Sequence, residues 1–261
     1  MKQRVITAVV ALVLFIPTIL YGGWLLQLVM ALLAAIAVGE VAQMRRMLLV
    51  SFGAILAMLG AMLATFPAHF FAGLPNILHP AGLLYVFVLL MLFHTVLAKN
   101  AFSFEDAGVF TLAMLYIGLG FHFFISARNT GLDTLFYMLL IVWITDSAAY
   151  LVGRKFGKHP LTKISPKKTW EGSIGGTVIA TVILAIYLVF FPQAYDWPLM
   201  VLITVILSIA GQFGDLIESA LKRFYKVKDS GTILPGHGGI LDRFDSMLIV
   251  LPLMFLLGLL N

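Results

Sequence analysis

The chain has 261 residues, 61% of them apolar and 11% charged, with a mean hydropathy of +1.04. A soluble domain carries about 25% charged residues, so this sequence has too few polar side chains to cover a water-exposed surface. The absence of cysteine excludes a disulfide framework, an iron–sulfur cluster and a thiolate nucleophile. In so apolar a chain the formal charge of +5 speaks to membrane orientation and anionic partners, not to nucleic acid.

Continuous apolar runs of helix length, where a barrel would show short alternating strands, predict an all-α polytopic membrane protein. Nine spans are expected, at residues 5–21, 24–44, 48–66, 81–98, 108–127, 132–153, 173–191, 197–218 and 240–260. The basic start and apolar run up to Pro17 resemble a signal peptide, but no small-residue cleavage site follows, so the segment reads as the first span. Tyr21-Gly22-Gly23 either separates spans one and two or forms a re-entrant bend. Pro17, Pro67, Pro75, Pro80, Pro160, Pro192 and Pro198 fall at or near span ends, where helix breakers belong. Residues 1–130 are expected to form an amino-terminal set of helices, and 131–261 a second transmembrane region with loops at 153–172 and 222–239.

Nine spans place 15 of the 17 Lys and Arg on the side of the amino terminus, beginning with Lys2 and Arg4. Arg128 alone falls on the opposite face, and Arg243 starts the last span. By the positive-inside rule the amino terminus and the basic loops are cytoplasmic.

Carboxylates at lipid depth cost at least about 2.5 kcal/mol each, so their positions are informative. Asp146 lies in span six, Asp215 and Glu218 near the cytoplasmic end of span eight, and Asp242 and Asp245 in the first turns of span nine. Asp215, Glu218, Ser219 and Lys222 follow helical spacing and share a face, as do Asp242 and Asp245. Acidic faces converging at one depth suit a hard divalent cation, and oxygen-only ligation favours magnesium over zinc. The competing reading pairs the acids with Lys222, Arg223 and Arg243 in buried salt bridges. Glu40, beside Gly39 in span two, reads as a helix-packing polar contact.

Two loops carry the cations. The first, GRKFGKHPLTKISPKKTWEGSIGG, joins six basic residues to Ser165, Thr169 and several glycines, a surface suited to phosphates or, alternatively, one that only enforces topology or touches anionic headgroups. The second, SALKRFYKVKDSGTILPGHGGILDRFD, brings Lys222, Arg223, Lys226 and Lys228, a turn at Pro235-Gly236, His237, and Gly238-Gly239 opening the last span. Glycine-rich helix starts present N–H groups to anions. His237 serves equally well as a turn former.

This second segment resembles the signature of the phosphatidate cytidylyltransferase (CDP-diacylglycerol synthase) family. The matching positions are Ser219, Lys222, Arg223, Lys228, Asp229, Pro235, His237, Gly238, Gly239, Asp242, Arg243 and Asp245, with no departure. Upstream, Asp146 to Tyr150, Gly153-Arg154, Ser165 to Gly172 and Gly214 to Ser219 resemble family segments too. The resemblance implies transfer of a cytidylyl group from CTP to phosphatidate, giving CDP-diacylglycerol and pyrophosphate, with magnesium required and a homodimer as the assembly. On that footing Asp215, Asp242 and Asp245 are the expected metal ligands, with Asp146 next, at a second cation. Lys167, Lys168, Lys222, Arg223, Lys228 and Arg243 are expected to neutralise the triphosphate and lipid phosphate, and Ser165, Ser219, His237, Gly238 and Gly239 to shape the phosphate pocket. The expected location is the inner membrane, multi-pass, with the site open to the cytoplasm and to phosphatidate in that leaflet. A cation-coupled transporter and a CTP-dependent enzyme acting on another lipid are the competing readings.

Overall fold

The computed structural model describes residues 2–73, 75 and 78–260; the side chains of Lys2 and Arg4, part of the basic start, lie outside the described residues. Among the described residues the regular elements are helices, with no strand beyond two isolated bridges, Pro160 to Thr169 and Leu234 to Gly238. They are α1 (Lys2–Tyr21), α2 (Gly23–Met44), α3 (Phe52–Thr65), a 3-10 turn (Ala68–Phe71), α4 (Pro80–Leu97), α5 (Phe104–Thr130), α6 (Leu132–Phe156), α7 (Trp170–Phe190), α8 (Trp197–Phe224), α9 (Leu241–Phe244) and α10 (Met247–Leu256). The protein is thus an all-α polytopic membrane protein.

Helices fall on all nine expected segments. Among the described residues six helices (α2 and α4 to α8) are long and apolar enough to cross a bilayer, while Val9–Tyr21, Phe52–Thr65 and Met247–Leu256 are shorter apolar helices. The ninth segment is not one continuous helix. It breaks between α9 and α10, where Asp245 Oδ1 accepts the Ser246 backbone N–H at 2.8 Å. Between α1 and α2 a single residue, Gly22, intervenes, and Gly22 and Gly23 both take positive φ (67° and 53°).

The chain forms two compact units. The first comprises residues 1–125 and 229–242, so the signature loop after α8 joins the amino-terminal helices. Its core is built on α2, α3 and α5. Phe110, Met114, Ile117, Phe121 and Phe124 recur at helical spacing along α5 and are all buried. Met30, Ala31, Ala34, Ala37 and Val38 line the buried face of α2. Arg45, just beyond α2, forms an ion pair with Asp106 in the first turn of α5, and Asp106 Oδ2 also accepts from the backbone N–H and hydroxyl of Ser103. By contrast α4 buries only Met91, as suits a helix whose remaining faces meet lipid.

The second unit comprises residues 126–228 and 243–261. In lipid no hydrophobic force drives helices together, so small residues and interhelical hydrogen bonds do that work. Gly172 and Gly176 of α7 lie directly against Ala149 and Gly153 of α6. A polar ladder joins three helices: Thr145 of α6 to Ser208 of α8 at 2.8 Å, Ser208 to Thr177 of α7 at 3.2 Å, and the Gln212 amide to Thr177 at 2.9 Å. Tyr137 and Thr204 pair at 2.7 Å further along the α6–α8 contact.

Candidate functional site

Three acids from separate segments come together in the second unit. Asp146 stands on α6, Asp215 on α8 and Asp245 in the break before α10, and Asp215 interacts electrostatically with each of the other two. Their meeting depends on Gly214. A side-chain carbon there would lie 2.6 Å from the Asp245 carbonyl oxygen and 2.8 Å from Ser246 Cα. Only glycine lets the chain beside Asp245 rest on α8 one residue from Asp215. Asp146 is exposed, and Asp215 and Asp245 are half-buried, so the group is open to a ligand.

Cations border these acids. Lys168 Nζ lies 2.6 Å from Asp215 Oδ2, and Lys168 also acts on Asp146 through its charge. The loop that carries Lys168 is folded back on itself. The Leu161 N–H donates to the Lys168 carbonyl at 2.7 Å, the Trp170 N–H to the His159 carbonyl at 3.0 Å, and Pro160 bridges Thr169. Glu171, in the first turn of α7, holds the base: it accepts from the backbone N–H groups of Lys158 and His159 and pairs with the His159 ring at 2.5 Å. Thr169 caps α7 by accepting from Gly172 N–H. Within this loop Ser165 accepts the Lys168 N–H through its carbonyl, and Lys167 is exposed.

Along α8 the predicted shared face is present. The Ser219 hydroxyl donates to Asp215 Oδ1 at 3.2 Å, and Lys222 pairs with the buried Glu218. The salt-bridge reading therefore describes Glu218, whose partner Lys222 is anchored in the bundle, and Asp215 is bridged as well, though by Lys168 rather than by Lys222, Arg223 or Arg243. Lys222 still acts on Asp245 through its charge. Arg223 donates to the Val227 carbonyl at 3.3 Å, tying down the end of α8, while Lys228 and Arg243 are exposed.

The remaining signature residues belong to the first unit. His237 donates its backbone N–H to the Leu234 carbonyl, and Leu234 N–H to the Gly238 carbonyl, closing a tight turn. Gly238 has φ +85°, and a side chain there would meet Asp242 Oδ2 at 2.4 Å. Asp242 Oδ2 accepts from Ser230 N–H and Gly239 N–H, both at 2.8 Å, and lies 2.9 Å from the Ser230 hydroxyl. Nothing in the sequence singles out Ser230, and Glu40 reads there as a packing contact. The signal for Glu40 was available: an acid inside an apolar helix demands a partner.

Among the described residues, no three acidic or histidine groups close into a ready-made metal cage. The donor set nevertheless suits a hard cation, being all carboxylate oxygen. Magnesium is commonly held by one or two carboxylates, with substrate phosphates and water completing its shell.

Acids and lysines are thus gathered in one group within a helical membrane protein. Residues 2–260 match the cytidylyltransferase family, and the chain belongs to it. It is 45% identical to the phosphatidate cytidylyltransferase of Staphylococcus haemolyticus over 258 residues, covering 98% of both chains. Its identity to the enzyme of the same name from Bacillus subtilis is 43% over 261 residues, covering 98% of this chain and 97% of that one. The Staphylococcus aureus enzyme is likewise 43% identical over 258 residues.

Proposed function

We propose that this protein is a membrane-embedded nucleotidyltransferase that converts CTP and phosphatidate to CDP-diacylglycerol and pyrophosphate. The observation that carries the reading is the grouping of Asp146, Asp215 and Asp245 with Lys168 in a chain that matches phosphatidate cytidylyltransferases nearly end to end. A phosphatidate oxygen attacks the α-phosphorus of CTP in line. The new P–O bond forms as the bond to the bridging oxygen of the β-phosphate breaks, and pyrophosphate leaves. The attacking phosphate is already an anion, so no strong general base is needed.

The barrier is repulsion between two anions, and charge placement lowers it. Asp215 and Asp245 are the first ligands for magnesium in this reading, with Asp146 beside them and Asp242 assigned from the signature alone. The chemistry that magnesium supplies is charge neutralisation and polarisation of phosphoryl oxygens. Lys168 leaves Asp215 to meet incoming phosphate, and exposed Lys167, Lys228 and Arg243 add to the field that draws CTP in. In this reading the amino terminus and the site face the cytoplasm, as the segregation of basic residues over nine spans supports, so that CTP arrives from water and phosphatidate from the leaflet, and the working form is a homodimer.

The test is incubation of purified protein with labelled CTP, phosphatidate and magnesium, scoring label in the lipid phase. Label in lipid with release of one pyrophosphate per turnover is expected. Solute flux into liposomes without CTP turnover would instead establish a transporter.

A further inference from the structure

Glu40 is an acid inside the apolar helix α2, and only 3% of it is exposed. Its carboxylate does not bond within its own helix. Oε1 accepts the Ile240 N–H at 2.7 Å, and Oε2 accepts the Leu241 N–H at 2.9 Å and lies 2.8 Å from the Ser230 hydroxyl. That hydroxyl also lies 2.9 Å from Asp242 Oδ2, so its single proton is shared between the two acids. The backbone closes tightly around the same group: a side-chain carbon on Gly239 would fall 2.4 Å from both Glu40 oxygens, and one on Gly231 2.8 Å from Oε1. Two glycines of the signature loop are thus fitted to an acid about 200 residues earlier in the chain.

From this geometry we propose that Glu40 is the positioning residue of the signature loop. It fixes Ser230 and the amides of Ile240 and Leu241, and through Ser230 it fixes the carboxylate of Asp242. A packing contact would need only a neutral, satisfied side chain. Glu40 instead offers two oxygens to three donors, and every donor belongs to the loop that ends in Asp242. Those bonds also satisfy amides at the start of α9, which have no partner within that helix. The inference rests on the reading that Asp242 serves the cytidylyl transfer.

The test uses the full-length Glu40→Gln and Ser230→Ala variants, purified and assayed with labelled CTP, phosphatidate and magnesium. Gln keeps the shape but replaces one acceptor oxygen with a donor, which opposes the loop's own donors. The expected result is a fall in kcat of about 10- to 100-fold, the scale of a misplaced catalytic group, with KM for CTP little changed. Amide exchange should rise at Ile240 and Leu241 and stay as in the wild type along α2 and α5. Full kcat in both variants would overturn the proposal, and so would faster exchange throughout the first unit, which would mark a general structural role. Should Glu40→Gln fail to fold, Ser230→Ala decides, because it removes the shared hydroxyl and leaves α2 intact. Asp242→Asn is run in parallel. If it is inactive while the other two keep full kcat, only the positioning role falls; if it is fully active, the reading of Asp242 falls with it.

Discussion

Lys168 and Asp215 form the one close ion pair that spans the loop 157–169 and α8 among the described residues, and it defines what each side chain does before substrate arrives. In the proposed function, a lysine parked on Asp215 keeps that acid compensated until a cation and a phosphate replace the contact. Asp215→Asn and Asp245→Asn should therefore each reduce transfer of label into lipid by about 100-fold or more, with normal membrane insertion. Lys168→Met should retain part of the activity but raise KM for CTP, measured by varying CTP at saturating phosphatidate. The acids of α8 also show where residue-level reading stops. Spacing placed Asp215 and Glu218 on one face, yet Glu218 is buried against Lys222 and Asp215 is half-open. Periodicity assigns a face; it does not say which positions on that face are covered.

Helix contacts in the second unit hinge on small residues, and this is the scale at which the acids are brought together. At Gly214 the obstacle to a side chain is the backbone of residues 245 and 246, whereas at Gly211 the nearest atom is a Val250 methyl at 3.3 Å. Gly214→Ala should accordingly cost about 1–3 kcal/mol, as overpacking does, and lower activity by moving Asp245. Gly211→Ala should be milder on both counts; melting curves and turnover of the two variants check the contrast. Thr145, Ser208, Thr177 and Gln212 form the ladder that holds α6, α7 and α8 in register. A double-mutant cycle on Thr145→Val and Ser208→Ala should return about 0.6 kcal/mol, the average for such bonds in a membrane bundle. The sequence announces these helices through long apolar runs but hides the break at Asp245-Ser246. Asp242 and Asp245 keep helical i, i+3 spacing right up to it, and the break shows only in a local bond, the Ser246 N–H to Asp245 Oδ1.

The topology of the whole molecule can be tested directly because the chain has no cysteine. Lys163→Cys and Asn129→Cys, both at exposed positions, should react with a membrane-impermeant maleimide from opposite sides of the membrane. Labelling of Lys163→Cys in intact cells from outside would overturn the cytoplasmic placement of the basic loops. Chelation of divalent cations should abolish transfer, and added magnesium should restore it. Run lengths and charge segregation determine the membrane class and the helix segments, because each is a property of residues adjacent along the chain. The signature from Ser219 to Asp245 is legible for the same reason, with its specified positions lying in one contiguous stretch. Tertiary structure decides the rest. It alone brings Asp146 of α6 and Asp245 into the field of Asp215, and it alone sets Glu40 beneath the loop that ends in Asp242. Those meetings join positions far apart in sequence and depend on which small residues let two backbones touch, and no local pattern encodes that.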